Sequence, residues 1–225
     1  MDLSFIQRAG YKLVRFGQKY ESNAPLNLAG DRDLEWSWAV AQTPVGTKRI
    51  LDVGPGNSMI PVALSFVSDE VIALDINSPE IQYGVSNIKH VLGDVMAPPK
   101  NFEKFDVIIN CSTIEHVGLP GRYGSKDEKN GDLIGMEQLS QLMHSESKMI
   151  LTIPVGLDGV FLPNHRVYGN ERLPQLLQNF EIEKERYFEK TETKRFWHET
   201  TKSSALGTQG SLSFYSIGLY VLRKR

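Results

Sequence analysis

Residues Ile50 to Ser58 read ILDVGPGNS, and the next apolar run, Val71 to Asp75, reads VIALD and closes on an acid nineteen residues beyond Gly56. The pattern is that of a buried strand, a glycine turn, a helix and a second strand ending in a carboxylate. Gly54 and Gly56 carry no Cβ, so the backbone can turn sharply and come close to a ligand. The helix expected after them points unpaired N–H groups at whatever sits in the turn. Asp75, at the carboxyl end of the second strand, is placed to accept hydrogen bonds from a ribose diol. The spacing therefore predicts a ribose-containing ligand across the tips of two parallel strands.

What the turn lacks narrows the ligand. Met59 stands where a dinucleotide fingerprint has its third glycine, and no GK followed by Ser or Thr forms a phosphate-cradling loop. In these residues the chain resembles the class I S-adenosylmethionine (SAM) dependent methyltransferases. LDVGPGNS is similar to their first motif, and Asp75 to the acid that ends their second. LGDV at Leu92 to Val95 is similar to their adenine-contacting segment, and FDVIINCSTIEHV at Phe105 to Val117 to their fourth strand and its loop. The likeness covers Lys48 to Gly156; beyond that it rests on the order of secondary-structure elements alone.

That resemblance implies a fold and a set of site residues. The fold is a Rossmann-like, doubly wound α/β architecture with a mostly parallel seven-stranded sheet whose last strand is antiparallel. The cofactor is SAM. Asp52 is expected near the methionyl ammonium, beside Gly54, Pro55 and Gly56, with bracing of the glycine turn as its other role. Asp75 and Ile76 are expected at the ribose and Asp94 and Val95 at the adenine, Asp94 serving equally as a turn cap. Asn110 and Ser112 belong to the strand end that faces the methyl group.

The chain has 225 residues, 40% hydrophobic, 23% charged and 9% aromatic, values ordinary for a globular protein with a full core. A net charge of -2 argues against a broad nucleic-acid footprint, so DNA is not an expected partner. The single cysteine, Cys111, excludes an internal disulfide and a multi-cysteine metal site. Neither an apolar run of membrane-spanning length nor a signal-peptide block is present, so a reducing cytoplasm is the default expectation. The oligomeric state is left open, a homo-oligomer included.

Residues 1–47 are expected to form N-terminal helices that cover the cofactor site, and residues 48–225 the methyltransferase domain, together one compact unit. In the first helix Ile6, Ala9, Leu13, Phe16 and Tyr20 share one face, and Arg8, Lys12, Arg15 and Lys19 the other. The basic face is either simply solvated or a surface for anionic lipid or a phosphorylated substrate. Asp31 can cap a second helix that runs through Trp36 and Val40. From Lys48 onward, strands are predicted at Arg49–Val53, Val71–Ile76, Ile88–Leu92, Asp106–Cys111 and Met149–Pro154. Helices are predicted at Met59–Val67, Pro79–Tyr83 and Gly131–His144. A helix at Asn170–Gln178 and strands at Glu181–Phe188 and Ser213–Leu222 complete the chain.

Methyl transfer from a sulfonium is an in-line displacement, so holding donor and acceptor in line supplies much of the catalysis. A hydroxyl or amine acceptor must also lose a proton. His116, in the Glu115–His116 pair that resembles the EH of many small-molecule methyltransferases, is one candidate base, and His165 in LPNHRVYG is another. An ordinary structural histidine is the alternative for each. Asn110 is followed by Cys111, Ser112 and Thr113, not by the prolines and aromatic of the enzymes that methylate nucleobase amines. Cys111 follows Asn110 rather than a proline, which reads as a small buried filler and not as a nucleophile. Ser112 stands where the metal-dependent ExxEH pattern has its first glutamate, so no metal is expected.

Arg122 and Tyr123 in GLPGRYG, with Arg166 and Tyr168 in HRVYG, lie in loops on the carboxyl side of the sheet and suit a phosphate or a sugar ring. They are the substrate-binding candidates, with solvated loop residues as the alternative. Together with the core motifs, these two segments resemble a methyltransferase group associated with surface-polysaccharide biosynthesis. The sequence thus points to a SAM-dependent methyltransferase acting on a small-molecule or glycan-type (saccharide) acceptor, at oxygen, with a histidine base. An RNA or protein methyltransferase, or a non-catalytic SAM-binding protein, are the alternatives.

Overall fold

The computed structural model describes residues 31–79, 83–121, 123–190, 196–210 and 215–225; the expected first helix and Arg122 lie outside the described residues. The elements run α1 (Asp31–Gln42), β1 (Thr47–Val53), α2 (Ile60–Ser65), β2 (Ser68–Asp75), β3 (Ile88–Leu92) and β4 (Phe105–Cys111), followed by a 3-10 turn at Ile114–His116. Next come α3 (Gly131–Gln141), β5 (Met143–Val155), β6 (Gly159–Phe161), β7 (His165–Val167), α4 (Arg172–Leu176), β8 (Phe180–Glu189), β9 (His198–Thr200), α5 (Lys202–Leu206) and β10 (Ser216–Lys224).

Successive side chains of a strand point to opposite faces, and in the central strands both faces are apolar. On one face Leu51, Leu74, Ile108 and Leu151 meet Met136 and Leu139 of α3 and Leu173 and Leu176 of α4. On the other, Ile50, Val71, Val107, Ile109 and Ile150 meet Ala39 of α1 and Ile60 and Leu64 of α2. The near-continuous hydrophobic runs of the sequence are therefore a sheet covered by helices on both sides. Truncating one of the fully buried leucines or isoleucines, such as Ile50, would cost about 2–5 kcal/mol.

Eight strands form the sheet in the order β3-β2-β1-β4-β5-β10-β8-β9. Strands β3, β2, β1, β4 and β5 pair in parallel, and β10 is antiparallel to both β5 and β8. This is the mostly parallel, Rossmann-like sheet expected. Its count exceeds seven because the three residues of β9 pair with the outer side of β8, too short a run to show as a strand in sequence. The strand order reverses between β1 and β4, which opens a crevice at the carboxyl ends of these strands.

Several boundaries differ from expectation. The helix expected to reach His144 ends at Gln141, and β5 starts at Met143 rather than Met149. Buried Ser147 accepts the His144 N–H at 3.0 Å and donates to the Phe105 carbonyl at 2.6 Å, so this polar stretch is tied to β4 across a register irregularity. Of the helix expected over Pro79–Tyr83, residues 80–82 lie outside the described residues, and Pro79 and Tyr83 are not helical. The last strand starts at Ser216; residues 213 and 214 of its expected span lie outside the described residues. The antiparallel β6–β7 hairpin was not expected, its strands being three residues each; a bridge from Tyr168 to Val155 lays it beside the end of β5.

Candidate active site

The crevice holds a cavity of about 490 Å³, walled by the segments that follow β1, β2, β3 and β4 and by one end of α1. Gly54 turns the chain with φ +63°, and a Cβ there would lie 2.3 Å from Thr113 Cγ2, so the β1 turn and the β4 loop touch at a point only glycine allows. Thr113 fixes that contact by donating to the Val53 carbonyl at 2.9 Å. Beyond the turn, Gly56 N–H donates to Asp75 Oδ2 at 3.1 Å and Asn77 N–H to Oδ1 at 2.8 Å. Asp75 is thereby oriented before any ligand arrives. The expected helix behind the turn, α2, is only six residues long, so close backbone approach matters here more than a helix dipole.

Asp52 is 1% exposed, forms part of the cavity wall, and its Oδ2 has no hydrogen-bond partner among the described residues. Burial, and after it the charge of Asp75, hold its carboxyl well above the usual carboxylate range. A buried carboxyl group with an unserved oxygen in a cavity wall suits a ligand that brings a cation or donor to it. Pro55, Ile76, Asp94 and Val95 line the same space. Asp94 also accepts the Met96 N–H at 2.9 Å, so the two roles considered for it coexist.

The β4 loop carries the remaining candidates, and the structure separates them. Ser112 lines the cavity with φ +47°, its N–H donating to the Thr152 carbonyl at 3.0 Å and its hydroxyl to the Glu35 carboxylate. His116 lines it too, with 15% of its side chain exposed. Nδ1 of His116 is paired with the Asn164 carbonyl at the tip of the β6–β7 hairpin. A carbonyl only accepts, so Nδ1 carries the proton and neutral His116 keeps the Nε2 lone pair. Glu115 Oε1 is 3.7 Å from that Nε2. Glu115 is 2% exposed, and burial pushes its carboxyl up to about 8. Tyr123 lines the mouth of the cavity, its ring 4.9 Å from that of His116.

Five expected site residues do not reach the cavity. Asn110 is fully buried: its Oδ1 accepts Ile114 N–H at 3.3 Å and its Nδ2 faces Met136 Sδ, so it anchors the 3-10 turn instead of contacting a ligand. Glu115 sits behind His116. His165 is 8% exposed, its ring packed between those of His116, Phe161 and Tyr215, which removes it from direct proton transfer to a ligand in the cavity. Arg166 is 2% exposed and donates to the carbonyls of Val117 at 2.6 Å and Lys129 at 3.2 Å, with Nε 3.7 Å from buried Asp132. It clamps the two ends of the β4–α3 loop rather than binding a substrate. Tyr168, fully buried, donates to the same Asp132. Cys111 is buried as expected, and burial, with Glu35 nearby, pushes its thiol up.

Sequence reasoning missed Arg32 and Trp36 of α1, Asn57, His90 and Thr113, all in the cavity wall. Thr113 had a signal, its place directly after the fourth strand. Arg32 and Trp36 had only a coarse one, the expectation that helices within residues 1–47 cover the cofactor site, because nothing in the pattern of α1 tells which of its residues will face the cavity.

No curated protein matches the chain in sequence at a significant level. In structure it is similar to a TehB-like SAM-dependent methyltransferase from Corynebacterium glutamicum (TM-score 0.55, 14% identity, 100% of each chain covered). It is likewise similar to 1,6-didemethyltoxoflavin-N1-methyltransferase from Burkholderia thailandensis, solved with 1,6-didemethyltoxoflavin and S-adenosylhomocysteine (TM-score 0.57, 11% identity, 98% of this chain and 88% of that one). A third is the N-methyltransferase NodS from Bradyrhizobium japonicum in complex with S-adenosylhomocysteine (TM-score 0.56, 11% identity, 85% and 84%). The fold is that of the class I SAM-dependent methyltransferases. The model of one sequence family matches residues 59–219, and the chain accordingly belongs to that family, described as Caenorhabditis protein of unknown function, DUF268.

Proposed function

We propose that this protein is a SAM-dependent methyltransferase that methylates an oxygen of a small-molecule or glycan-type acceptor, with His116 as general base. The observation that carries the reading is the buried Asp52 carboxyl with an unserved oxygen in the same cavity as the pre-oriented Asp75. A ligand that answers both must present a donor-rich cation and a diol on one scaffold, as SAM does with its ammonium and ribose. The Asp94–Val95 wall then takes the purine, and the turn from Gly54 to Gly56 leaves room for close approach.

When bound, the cofactor supplies an electrophilic methyl group on sulfur. The chain holds an acceptor in line with it, excludes water and receives one proton. His116 receives it at Nε2, because Nδ1–H is committed to the Asn164 carbonyl, which also stabilises the imidazolium that results. Glu115 beside Nε2 is a positioning residue that becomes a counter-charge if it ionises. The half-exposed Tyr123 ring, against His116 at the cavity mouth, supports a flat or ring-shaped acceptor such as a sugar face.

Calorimetric titration with S-adenosylhomocysteine tests the reading. Wild-type protein should bind it, and Asp75→Ala should weaken binding by about 30- to 100-fold, the value of two hydrogen bonds at about 1.0–1.4 kcal/mol each, with the melting temperature nearly unchanged. Equal affinity in the two proteins would refute the ribose assignment.

A further inference from the structure

We infer that Asn77 is a positioning residue for the base: standing just after the ribose acid, it ties the β4–α3 loop across the cavity and keeps the Tyr123 ring against His116. The inference rests on the reading of His116 as general base and adds to it a residue from the opposite side of the crevice.

Asn77 is fixed by the acid it follows. Its N–H donates to Asp75 Oδ1 at 2.8 Å while Asp75 Oδ2 accepts the Gly56 N–H, so the backbone after β2 is wrapped around the carboxylate. From that anchored position Asn77 Nδ2 donates to the Tyr123 carbonyl at 3.2 Å, a bond between residues 46 apart in sequence. Asn77, Tyr123 and His116 all line the same cavity. Tyr123 is thus tied through its carbonyl to the β2 side, while its ring packs on His116 of the β4 side, the two ring centroids 4.9 Å apart and the planes inclined by 67°. The imidazole is held from two directions, by the Tyr123 ring and by the Asn164 carbonyl at Nδ1. The carbonyl sets its tautomer and the ring its tilt.

The root of the loop is closed without Asn77. The Gly118 carbonyl accepts the Glu128 N–H at 3.0 Å, Gly118 N–H donates to Ser125 Oγ at 2.9 Å, and Arg166 serves the carbonyls of Val117 and Lys129 on either side. Nearer the tip, Gly121 and Gly124 stand on either side of Tyr123 with φ +113° and +72°. Glycine takes such angles as readily as their mirror images, so contacts rather than backbone preference set the path of the chain there. One exposed amide-to-carbonyl bond contributes little to folding, but this one is placed where it fixes a ring at the base.

Diethyl pyrocarbonate, which acylates the lone-pair nitrogen of a neutral imidazole, reads the hold on His116 in ligand-free protein, with the modified residue located by peptide mass spectrometry. Asn77→Ala should raise the rate at His116 by about 3- to 10-fold, the equivalent of one neutral hydrogen bond, with the melting temperature nearly unchanged. Asn77→Asp, close in shape but with no side-chain N–H to donate, should do the same. Tyr123→Ala should raise the rate at least as much, and adding Asn77→Ala to it should change nothing further, because the tie then holds a loop that carries no ring. An unchanged rate in Asn77→Ala, or effects that add in the double variant, overturns the positioning role. Calorimetry with S-adenosylhomocysteine separates that failure from failure of the reading beneath it. Affinity in Asn77→Ala should stay within about threefold of wild type, and a loss of about tenfold with the rate at His116 unchanged would make Asn77 a cofactor contact instead. If wild-type protein binds no S-adenosylhomocysteine, the SAM reading falls and the base assignment with it, whatever the rates at His116 show.

Discussion

On the β1–β2 side of the crevice, the groups facing the ligand come from two adjacent turns and hold one another: Gly56 N–H on Asp75, Gly54 N–H on the Leu74 carbonyl at 2.8 Å. On the β4 side every such group is held from far away in the chain. His116 is paired with Asn164 across 48 residues, Ser112 with Glu35 across 77, and the loop after Val117 is clamped by Arg166. The first side is made largely of backbone and short side chains in parallel register, so its geometry follows once two strands pair. The second exists only after α1, β5 and the β6–β7 hairpin have docked. Under the proposed function, cofactor binding on the first side would tolerate change elsewhere, whereas acceptor chemistry on the second would depend on the whole fold.

The largest effect should come from removing the base on the second side. His116→Ala should lower turnover on whichever acceptor pool wild type methylates by about 10²- to 10⁴-fold, the usual contribution of a general base, while S-adenosylhomocysteine affinity stays within about threefold. Full turnover would leave the β4 side without a proton acceptor and reduce it to a scaffold.

Next in size is the clamp. Replacing Arg166 by Ala strips partners from the carbonyls of Val117 and Lys129 and removes a cation from beside fully buried Asp132, leaving it Arg172 and the Tyr168 hydroxyl. The expected cost is about 3–5 kcal/mol in denaturant unfolding, as for other broken buried pairs. An exposed substrate-binding arginine would move stability by no more than about 0.5 kcal/mol, so the measurement decides between the two roles.

The same contrast sets what was legible in sequence. Gly54, Gly56 and Asp75 announce themselves because their function is a spacing, and the alternation of Ile50, Leu51 and Val53 between two apolar layers announces the sheet. The role of Arg166 was not legible: an arginine in a loop reads the same whether it points at solvent or at four carbonyls, and its burial is decided by a hairpin too short to leave a periodic pattern. Asn110 misled for a similar reason. A strand-end amide next to a cavity can point inward, and here the N–H of Ile114 and the sulfur of Met136 take it. Arg32 was not singled out because the docking of α1 is a long-range event: a helix covering the site was expected there, but not which of its 12 residues would meet the cavity.

Each side also contains a buried carboxyl that burial pushes upward, and the smallest effects expected distinguish these two. Asp52 and Glu115 are both pushed upward chiefly by burial, Glu115 from 4.5 to about 8. Between those values the folded protein keeps a proton that the unfolded chain has released, so stability falls as pH rises through that window and is fully present only below it. Glu115→Gln mimics the neutral form, and should flatten this slope and add about 1–3 kcal/mol at pH 7, read by thermal unfolding across the pH range. Asp52→Asn should act on stability in the same direction. The two part on the ligand: Asp52→Asn should weaken S-adenosylhomocysteine binding because an amide cannot supply the charge an ammonium needs, whereas Glu115→Gln should leave it unchanged. Loss of affinity in both would mean that the two sides of the crevice are one coupled site, and no loss in either would remove the ammonium from Asp52.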